Sequence, residues 1–194
     1  MVAFAFSGVE VGSKRRLDVF GLLVLGVLTA TGGGAIRDVM LGRVPLVLDR
    51  PDYVLWATGA AGVAIVLVWT RRRMPRTLLA IADAAGLGAF AVAGALAGIQ
   101  ADLPVTAVVL LAVVTATGGG VIRDVLADRV PMVLRSEVNA TAAALGGLGV
   151  WLFEPASAGG AALFGLVLTA TVRAGGMAFG INLPVPGGEA RDER

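Results

Sequence analysis

Seven apolar runs, separated by short polar or charged segments, make up most of the chain. A helix needs about 20 mostly apolar residues to cross a bilayer, so the pattern predicts an all-α membrane protein with seven transmembrane helices. The first run is too short to cross as written, and we expect an incomplete helix near one face or a start of the chain further upstream. The predicted spans are Val2–Gly12, Leu17–Leu41, Tyr53–Trp69, Leu78–Ile99, Leu103–Leu126, Val138–Phe153 and Gly159–Leu183.

Composition supports the membrane interpretation and excludes several kinds of chemistry. The chain is 57% apolar and 15% charged, with a mean hydropathy of +0.84, whereas soluble domains are about 45–50% apolar and about 25% charged. It contains no Cys and no His. Disulfides, thiolate or imidazole metal sites and Ser-His-Asp hydrolysis are therefore excluded, and we expect neither an enzyme nor a bound cofactor.

Basic residues cluster after the first and third runs, and their placement predicts orientation. Loops rich in Lys and Arg lie on the cytoplasmic side, so we expect the N-terminus outside and the tail 184–194 in the cytoplasm. The third-run cluster is better explained by anionic lipid than by nucleic acid. The clusters are Lys14, Arg15 and Arg16, then Arg71, Arg72, Arg73 and Arg76.

The sequence repeats itself at an offset of 86 residues. The segment Thr29–Gly34 recurs as Thr115–Gly120, and Ile36-Arg37-Asp38-Val39 recurs as Ile122-Arg123-Asp124-Val125. Arg43-Val44-Pro45 recurs as Arg129-Val130-Pro131. With three spans in each unit the second copy is inverted in the membrane, as is typical of transport proteins. The predicted divisions are repeats at 1–70 and 77–154, a seventh helix at 159–183 and the tail.

Each repeat contains a glycine triplet inside an apolar helix, Gly32–Gly34 and Gly118–Gly120. Glycine costs about 1 kcal/mol relative to alanine in a helix, so the triplets require an explanation. They could kink the helix and free carbonyl oxygens, which are suitable ligands for a dehydrated cation. Alternatively, they could simply let two helices pack closely.

An Arg-Asp pair follows each triplet, Arg37-Asp38 and Arg123-Asp124. Adjacent helical residues point about 100° apart, so we expect poor pairing within each dipeptide. The repeat suggests cross-pairing instead, Arg37 with Asp124 and Arg123 with Asp38. The alternative is that these residues mark helix ends and extend to the membrane interface.

Other polar residues in the predicted spans have local explanations. Threonines in apolar helices commonly bond the carbonyl four residues earlier, and Glu10 and Lys14 have the i, i+4 spacing of an ion pair. Asp83 could cap the fourth helix, whereas Arg173 needs a partner that the sequence does not identify. The polar set is Ser7, Glu10, Lys14, Thr29, Thr31, Asp83, Thr115, Thr117 and Arg173.

The doubled Thr-Ala-Thr-Gly-Gly-Gly-x-x-Arg-Asp-Val motif, followed in each copy by Arg-Val-Pro, resembles the prokaryotic branch of the trimeric intracellular cation (TRIC) channel family. The resemblance covers about Ala3 to Leu183. It implies seven spans in two inverted three-helix repeats plus one further helix, with the N-terminus external. It also implies a homotrimer in which each protomer has its own pore for monovalent cations, chiefly potassium, with K⁺ or Na⁺ as the only bound ions.

The resemblance also assigns roles to the motif residues. The second and fifth helices, kinked at the triplets, would line the pore. The Arg-Asp pairs occupy positions where animal relatives carry a Lys-Glu pair, of which the second-repeat Lys is linked to phosphoinositide binding.

Two other functions are compatible with the same pattern. The domain has also been described as a glycine transporter, and alternating-access carriers use the same inverted symmetry. A membrane scaffold without transport activity is the third possibility.

Overall fold

The computed structural model describes residues 1–70, 76–134 and 138–179, and within these ranges the chain is helical without strands. The all-α prediction is confirmed, and the predicted second and fifth spans correspond to α2 and α6. The helices are α1 Val2–Lys14, α2 Val19–Met40, α3 Leu46–Asp49, α4 Pro51–Trp69, α5 Arg76–Ile99, α6 Val105–Leu126, α7 Val138–Phe153 and α8 Ala158–Phe179, with a 3₁₀ turn at Met132–Leu134.

Five helices in the described ranges are long and apolar enough to cross a membrane, and the protein is a multi-pass membrane protein. Helix α7 is equally apolar but has 16 residues, and α1 has 13. The five long stretches are Val19–Met40, Pro51–Trp69, Ile81–Ile99, Val105–Leu126 and Ala158–Gly176.

Local sequence signals explain where several helices begin and end. Asp18 caps α2, its Oδ1 accepting a hydrogen bond from the Gly21 backbone nitrogen at 2.7 Å, and Pro51 occupies the first turn of α4. The left-handed residues Gly42 (φ 66°) and Asp128 (φ 51°) follow α2 and α6. These two residues are 86 apart, so the repeat extends to the turns.

Helices α2 and α6 pack against each other at the centre of the fold. Helices α1 and α4 pack on α2, α5 and α7 pack on α6, and α8 packs on α5 and α7. One buried apolar cluster includes Ala5 and Ala57, and a second includes their equivalents Ala91 and Ala143. These small side chains allow helices to approach closely, which is how membrane helices gain packing energy.

The structure corrects the predicted helix bounds in detail. Helix α3 and the 3₁₀ turn begin just after the two Arg-Val-Pro segments. Neither was predicted, because both segments are too short to show a helical periodicity of apolar residues. The predicted seventh span continues to Leu183, beyond the described residues. Arg71, Arg72, Arg73 and the tail 184–194 also lie outside them.

Candidate functional site

The glycine triplets lie where α2 crosses α6. A Cβ added at Gly33 would overlap the Thr115 carbonyl oxygen, and one added at Gly119 would overlap the Thr29 carbonyl oxygen. A Cβ at Gly118 would lie 3.2 Å from the Gly33 Cα. Both helices continue without interruption through the triplets. Close packing, one of the two predicted alternatives, therefore accounts for Gly33 and Gly119.

The four predicted threonines all bond within their own helices. Thr29 and Thr115 donate to the carbonyls of Leu25 and Leu111, each at 2.6 Å. Thr31 and Thr117 donate to residues four positions earlier at 2.8 and 2.7 Å. This confirms the local bonding expected for threonine in an apolar helix.

Each arginine after a triplet pairs with its own neighbour. The Nε and Nη2 atoms of Arg37 donate to Asp38 Oδ1 at 2.8 and 2.7 Å. Arg123 donates from Nε to Asp124 Oδ1 at 2.9 Å and from Nη2 to Oδ2 at 3.0 Å. The predicted cross-repeat pairs, Arg37 with Asp124 and Arg123 with Asp38, are therefore wrong. The 100° argument considered only the Cβ directions, whereas the long arginine side chain folds back onto the adjacent carboxylate.

The two aspartates also fix the loops that follow their helices. Asp38 Oδ2 accepts from the Leu46 backbone nitrogen, and Asp124 Oδ2 accepts from that of Met132, both at 2.9 Å. All four charged side chains are buried in the protein. They do mark the ends of α2 and α6, as one alternative proposed, but they do not extend away from the protein.

The two arginines differ in one contact. Arg123 Nη1 donates to Ser7 Oγ on α1 at 2.6 Å. The residue equivalent to Ser7 is Ala93, which has no side-chain hydrogen-bonding group. Within the described residues, Arg37 therefore lacks this third side-chain contact.

Two cavities, one beside each Arg-Asp pair, have equivalent walls. The α2 cavity measures about 260 Å³ and the α6 cavity about 300 Å³. Every residue that lines the α2 cavity has an equivalent, 86 positions away, that lines the α6 cavity. The shared wall positions are Met1/Leu87, Ala30/Ala116, Thr31/Thr117, Gly34/Gly120, Ala35/Val121, Arg37/Arg123, Asp38/Asp124, Leu46/Met132, Val47/Val133, Tyr53/Asn139, Ala89/Ala3, Phe90/Phe4 and Ala93/Ser7.

An aromatic contact joins the walls of the two cavities. Phe4 lines the α6 cavity and Phe90 lines the α2 cavity. Their ring centroids are 5.0 Å apart, and the rings are tilted by 56°. Phe4 and Phe90 are 86 positions apart, so this contact joins two equivalent residues of the repeat.

The α6 cavity contains a second ion pair in addition to Arg123–Asp124. Arg173 Nη2 donates to Asp83 Oδ2 at 3.0 Å, joining α8 to α5. Asp83 is therefore not the predicted helix cap, because it lies two turns inside α5 and faces α8. This contact also identifies the partner of Arg173, which is 90 residues away in sequence.

Two buried polar atoms beside this pair have no hydrogen-bond partner among the described residues: Asn139 Oδ1 and Arg173 Nε. Asn139 lies at the start of α7 and lines the α6 cavity with Asp83 and Arg173. Sequence reasoning missed Asn139, since a single asparagine near a helix start is ordinary.

The remaining predicted pair is structural. Lys14 Nζ lies 2.7 Å from Glu10 Oε1, so the i, i+4 ion pair is confirmed. Both side chains are exposed, and neither residue lines a cavity.

Comparison with known sequences and structures gives a consistent result. A family model described as "Glycine transporter" matches residues 1–70 and 80–155. A UPF0126 membrane protein of Deinococcus radiodurans is 43% identical over 173 residues, covering 84% of this chain and 80% of the relative. The UPF0126 inner membrane protein YadS of Escherichia coli is 40% identical over 188 residues, covering 93% and 89%.

Solved structures of TRIC cation channels share the fold. One, solved to explain conductance, superposes with a TM-score of 0.89 at 36% identity, covering 97% of this chain and 94% of the other. The trimeric intracellular cation channel orthologue from Rhodobacter sphaeroides superposes with a TM-score of 0.82 at 32% identity, covering 93% and 94%.

Proposed function

Since this chain belongs to the glycine transporter family of membrane proteins and shares the fold of TRIC cation channels, we propose that it conducts monovalent cations, chiefly potassium. Its structural neighbours, at 32–36% identity, support a cation channel. The finer proposal is a pore in each protomer, running through the α2 and α6 cavities.

The observation that carries this proposal is the pair of equivalent cavities. Helix α2 forms a wall of one and α6 a wall of the other, and Phe4 from one wall contacts Phe90 from the other. Apolar constrictions between wet cavities gate ion flow by excluding water. We infer that ions pass from one cavity to the other when these two rings separate.

The topology proposed with this path follows from the repeat. Three membrane-crossing helices in each unit would place the second unit inverted relative to the first, and sites in such folds lie at the repeat interface. The reciprocal contacts of Gly33 and Gly119 support this arrangement. We also propose that the N-terminus is external and that Arg71, Arg72 and Arg73 contact anionic lipid on the cytoplasmic side, following the distribution of basic loops.

A homotrimer is the assembly we propose. Its support is the match to structures of trimeric channels. Large apolar side chains are exposed on the single chain, including Trp56 at 72% and Leu163 at 65%, and lipid or neighbouring protomers would cover them.

An alternating-access carrier for glycine or another small solute is the second candidate. The description of the matching family favours it, and two opposed cavities separated by a closed contact are also what such a carrier requires. The two candidates differ in rate, current and dependence on the potassium gradient.

Single-channel recording of the purified protein in a planar bilayer distinguishes them. With asymmetric KCl on the two sides, we expect unitary currents whose reversal potential follows the potassium gradient. Phe90→Ala should increase open probability because it removes one ring of the closing contact. Asp52→Asn, an exposed position outside both cavities, is the matched control and should conduct like the wild type.

The opposing results are equally specific. Saturable glycine uptake into proteoliposomes without unitary currents would support the carrier. Neither current nor uptake, from protein that elutes as a folded oligomer, would support a scaffold.

A further inference from the structure

The carboxylate of Asp83 is the least engaged acidic group in the α6 cavity. Asp124 in the same cavity receives two bonds from Arg123 and one from the Met132 backbone nitrogen. Among the described residues, Asp83 receives one side-chain hydrogen bond, from Arg173 to Oδ2. An ionised carboxylate offers about four acceptor positions, so Asp83 retains unused capacity.

The Asp83 carboxylate faces open space more than its partner does. Its side chain is 34% exposed, whereas that of Arg173 is 10% exposed. Both side chains line the cavity, and the Asp83 carboxylate is the more accessible of the two. Asn139 adds a neutral oxygen to the same cavity, a buried Oδ1 without a partner in the described part of the chain.

We propose that Asp83 and Asn139 form a weak binding site for a monovalent cation in the α6 cavity, and that Arg173 keeps its affinity low. Carboxylate and amide oxygens are the ligands that hard cations prefer. No group of three or more acidic or imidazole residues occurs within the described ranges, so a tightly held divalent ion is not expected. This inference rests on the proposed cation conduction, because a permeating ion must bind weakly enough to leave.

The site makes the two ends of the proposed path different. The α2 cavity has Tyr53 where the α6 cavity has Asn139. The proposed site would therefore concentrate cations in the α6 cavity, and saturation of the current should depend on which side the ion is added to.

Charge-changing variants at the two positions give opposite predictions. Asp83→Asn should raise the K⁺ concentration for half-maximal conductance about five-fold, because it removes the attracting charge. Arg173→Gln should lower that concentration about five-fold, because it removes the opposing charge. Both effects should appear with K⁺ varied on the α6-cavity side. The control is Asp52→Asn, from an exposed Arg50–Asp52 pair.

A second measurement tests binding without conduction. Thermal unfolding of detergent-purified protein is followed in KCl and in choline chloride at equal ionic strength. A ligand that binds only the folded state raises the melting temperature. K⁺ should stabilise the wild type, stabilise Asp83→Asn less and stabilise Arg173→Gln more.

The outcomes separate this site from the proposed function. If no current is seen but K⁺ stabilises Arg173→Gln most and Asp83→Asn least, the proposed channel function is overturned and the cation site is supported. Normal current with equal half-saturating K⁺ in all variants would overturn the site and retain the channel. Shifts in the same direction for Asp83→Asn and Arg173→Gln would also overturn the proposed site. Loss of a structural ion pair has the same effect whichever of the two charges is removed, whereas loss of a cation site depends on the sign of the charge.

Discussion

The three glycines of each triplet have different surroundings. Gly33 and Gly119 touch the backbone of the opposite helix, whereas the nearest atoms to a Cβ at Gly34 and Gly120 are Arg37 Nη2 at 3.9 Å and Arg123 Nη2 at 3.8 Å. The middle glycine of each triplet therefore has the closest backbone contact and lacks room for a methyl group. The third glycine has space, and the packing at the crossing does not require it.

Gly33→Ala should lower the stability of the protein. Overpacking a close contact costs about 1–3 kcal/mol, which outweighs the gain of about 1 kcal/mol in helix propensity. Gly34→Ala, one residue away, should retain the propensity gain and leave stability equal or higher. Thermal unfolding in detergent measures both variants, and equal behaviour of the two would contradict the contact between Gly33 and Thr115.

For single residues, the sequence predicts the side-chain contacts that form within one helix. The threonine bonds and the Glu10–Lys14 pair depend on i, i+4 geometry, and both predictions are confirmed. The pairing of Arg37 was predicted wrongly, since Cβ directions do not describe how far a guanidinium can fold back. The Asp83–Arg173 contact joins helices that are distant in sequence, so no local pattern could identify it.

Helices α2 and α6 end in the same way, through an aspartate that holds the next segment. Asp38 binds Arg37 on one side and the Leu46 backbone nitrogen on the other, and Asp124 does the same with Arg123 and Met132. A single carboxylate thus neutralises a buried arginine and sets the start of the following helical turn.

Asp38→Asn should destabilise the protein by about 3–5 kcal/mol, because removal of one partner leaves a buried charge without compensation. Asp124→Asn should have a similar effect. Asp52→Asn, from an exposed ion pair, should change stability by less than about 1 kcal/mol. Chemical or thermal unfolding measures all three. A loss at Asp38 no larger than the control would show that water in the α2 cavity solvates Arg37.

The apolar pattern predicted the long helices because each of these apolar runs is several helical turns long. The predicted Leu17–Leu41 span corresponds to α2 at Val19–Met40, and Val138–Phe153 has the predicted bounds. Helix α3 was missed because Leu46–Asp49 is a single turn whose first residue is held by Asp38. Such a turn depends on a tertiary contact, which hydropathy does not report.

Across the whole molecule, many equivalent positions share contacts, and the contacts of Ser7 and of the α8 helix are among the differences. Ser7 on α1 binds Arg123 on α6, and Ala93 on α5 leaves Arg37 without the corresponding bond. Together with the Asp83–Arg173 pair, this gives the α6 cavity a more polar wall than the α2 cavity. The two cavities have equivalent wall positions but differ in the polarity of some side chains at those positions.

Exchanging these two positions tests the difference. Ser7→Ala should lower stability by about 1.5–3 kcal/mol, the range for a hydrogen bond to a charged group. Ala93→Ser offers Arg37 the missing hydroxyl and should raise stability or leave it unchanged. Thermal unfolding compares the two, and destabilisation by both to the same extent would show that the cavities are less alike than their walls indicate.

The offset of 86 residues predicted which positions correspond, and the equivalent contacts of the triplets, the aspartates and the cavities agree with it. It could not predict the position of α8, which lies outside the repeat and has no counterpart to compare. The polar difference between the cavities depends on that helix and on single exchanges such as Ser7 for Ala93.

The reciprocal contact between Gly33 and Thr115, and between Gly119 and Thr29, has the form of an isologous interface, in which the same patch serves both partners. Such interfaces ordinarily join two copies of one subunit. Here the two copies belong to one polypeptide. Because the two halves need not be identical, one cavity has Ser7 and Asn139 where the other has Ala93 and Tyr53, while the surface shared between the halves is self-complementary.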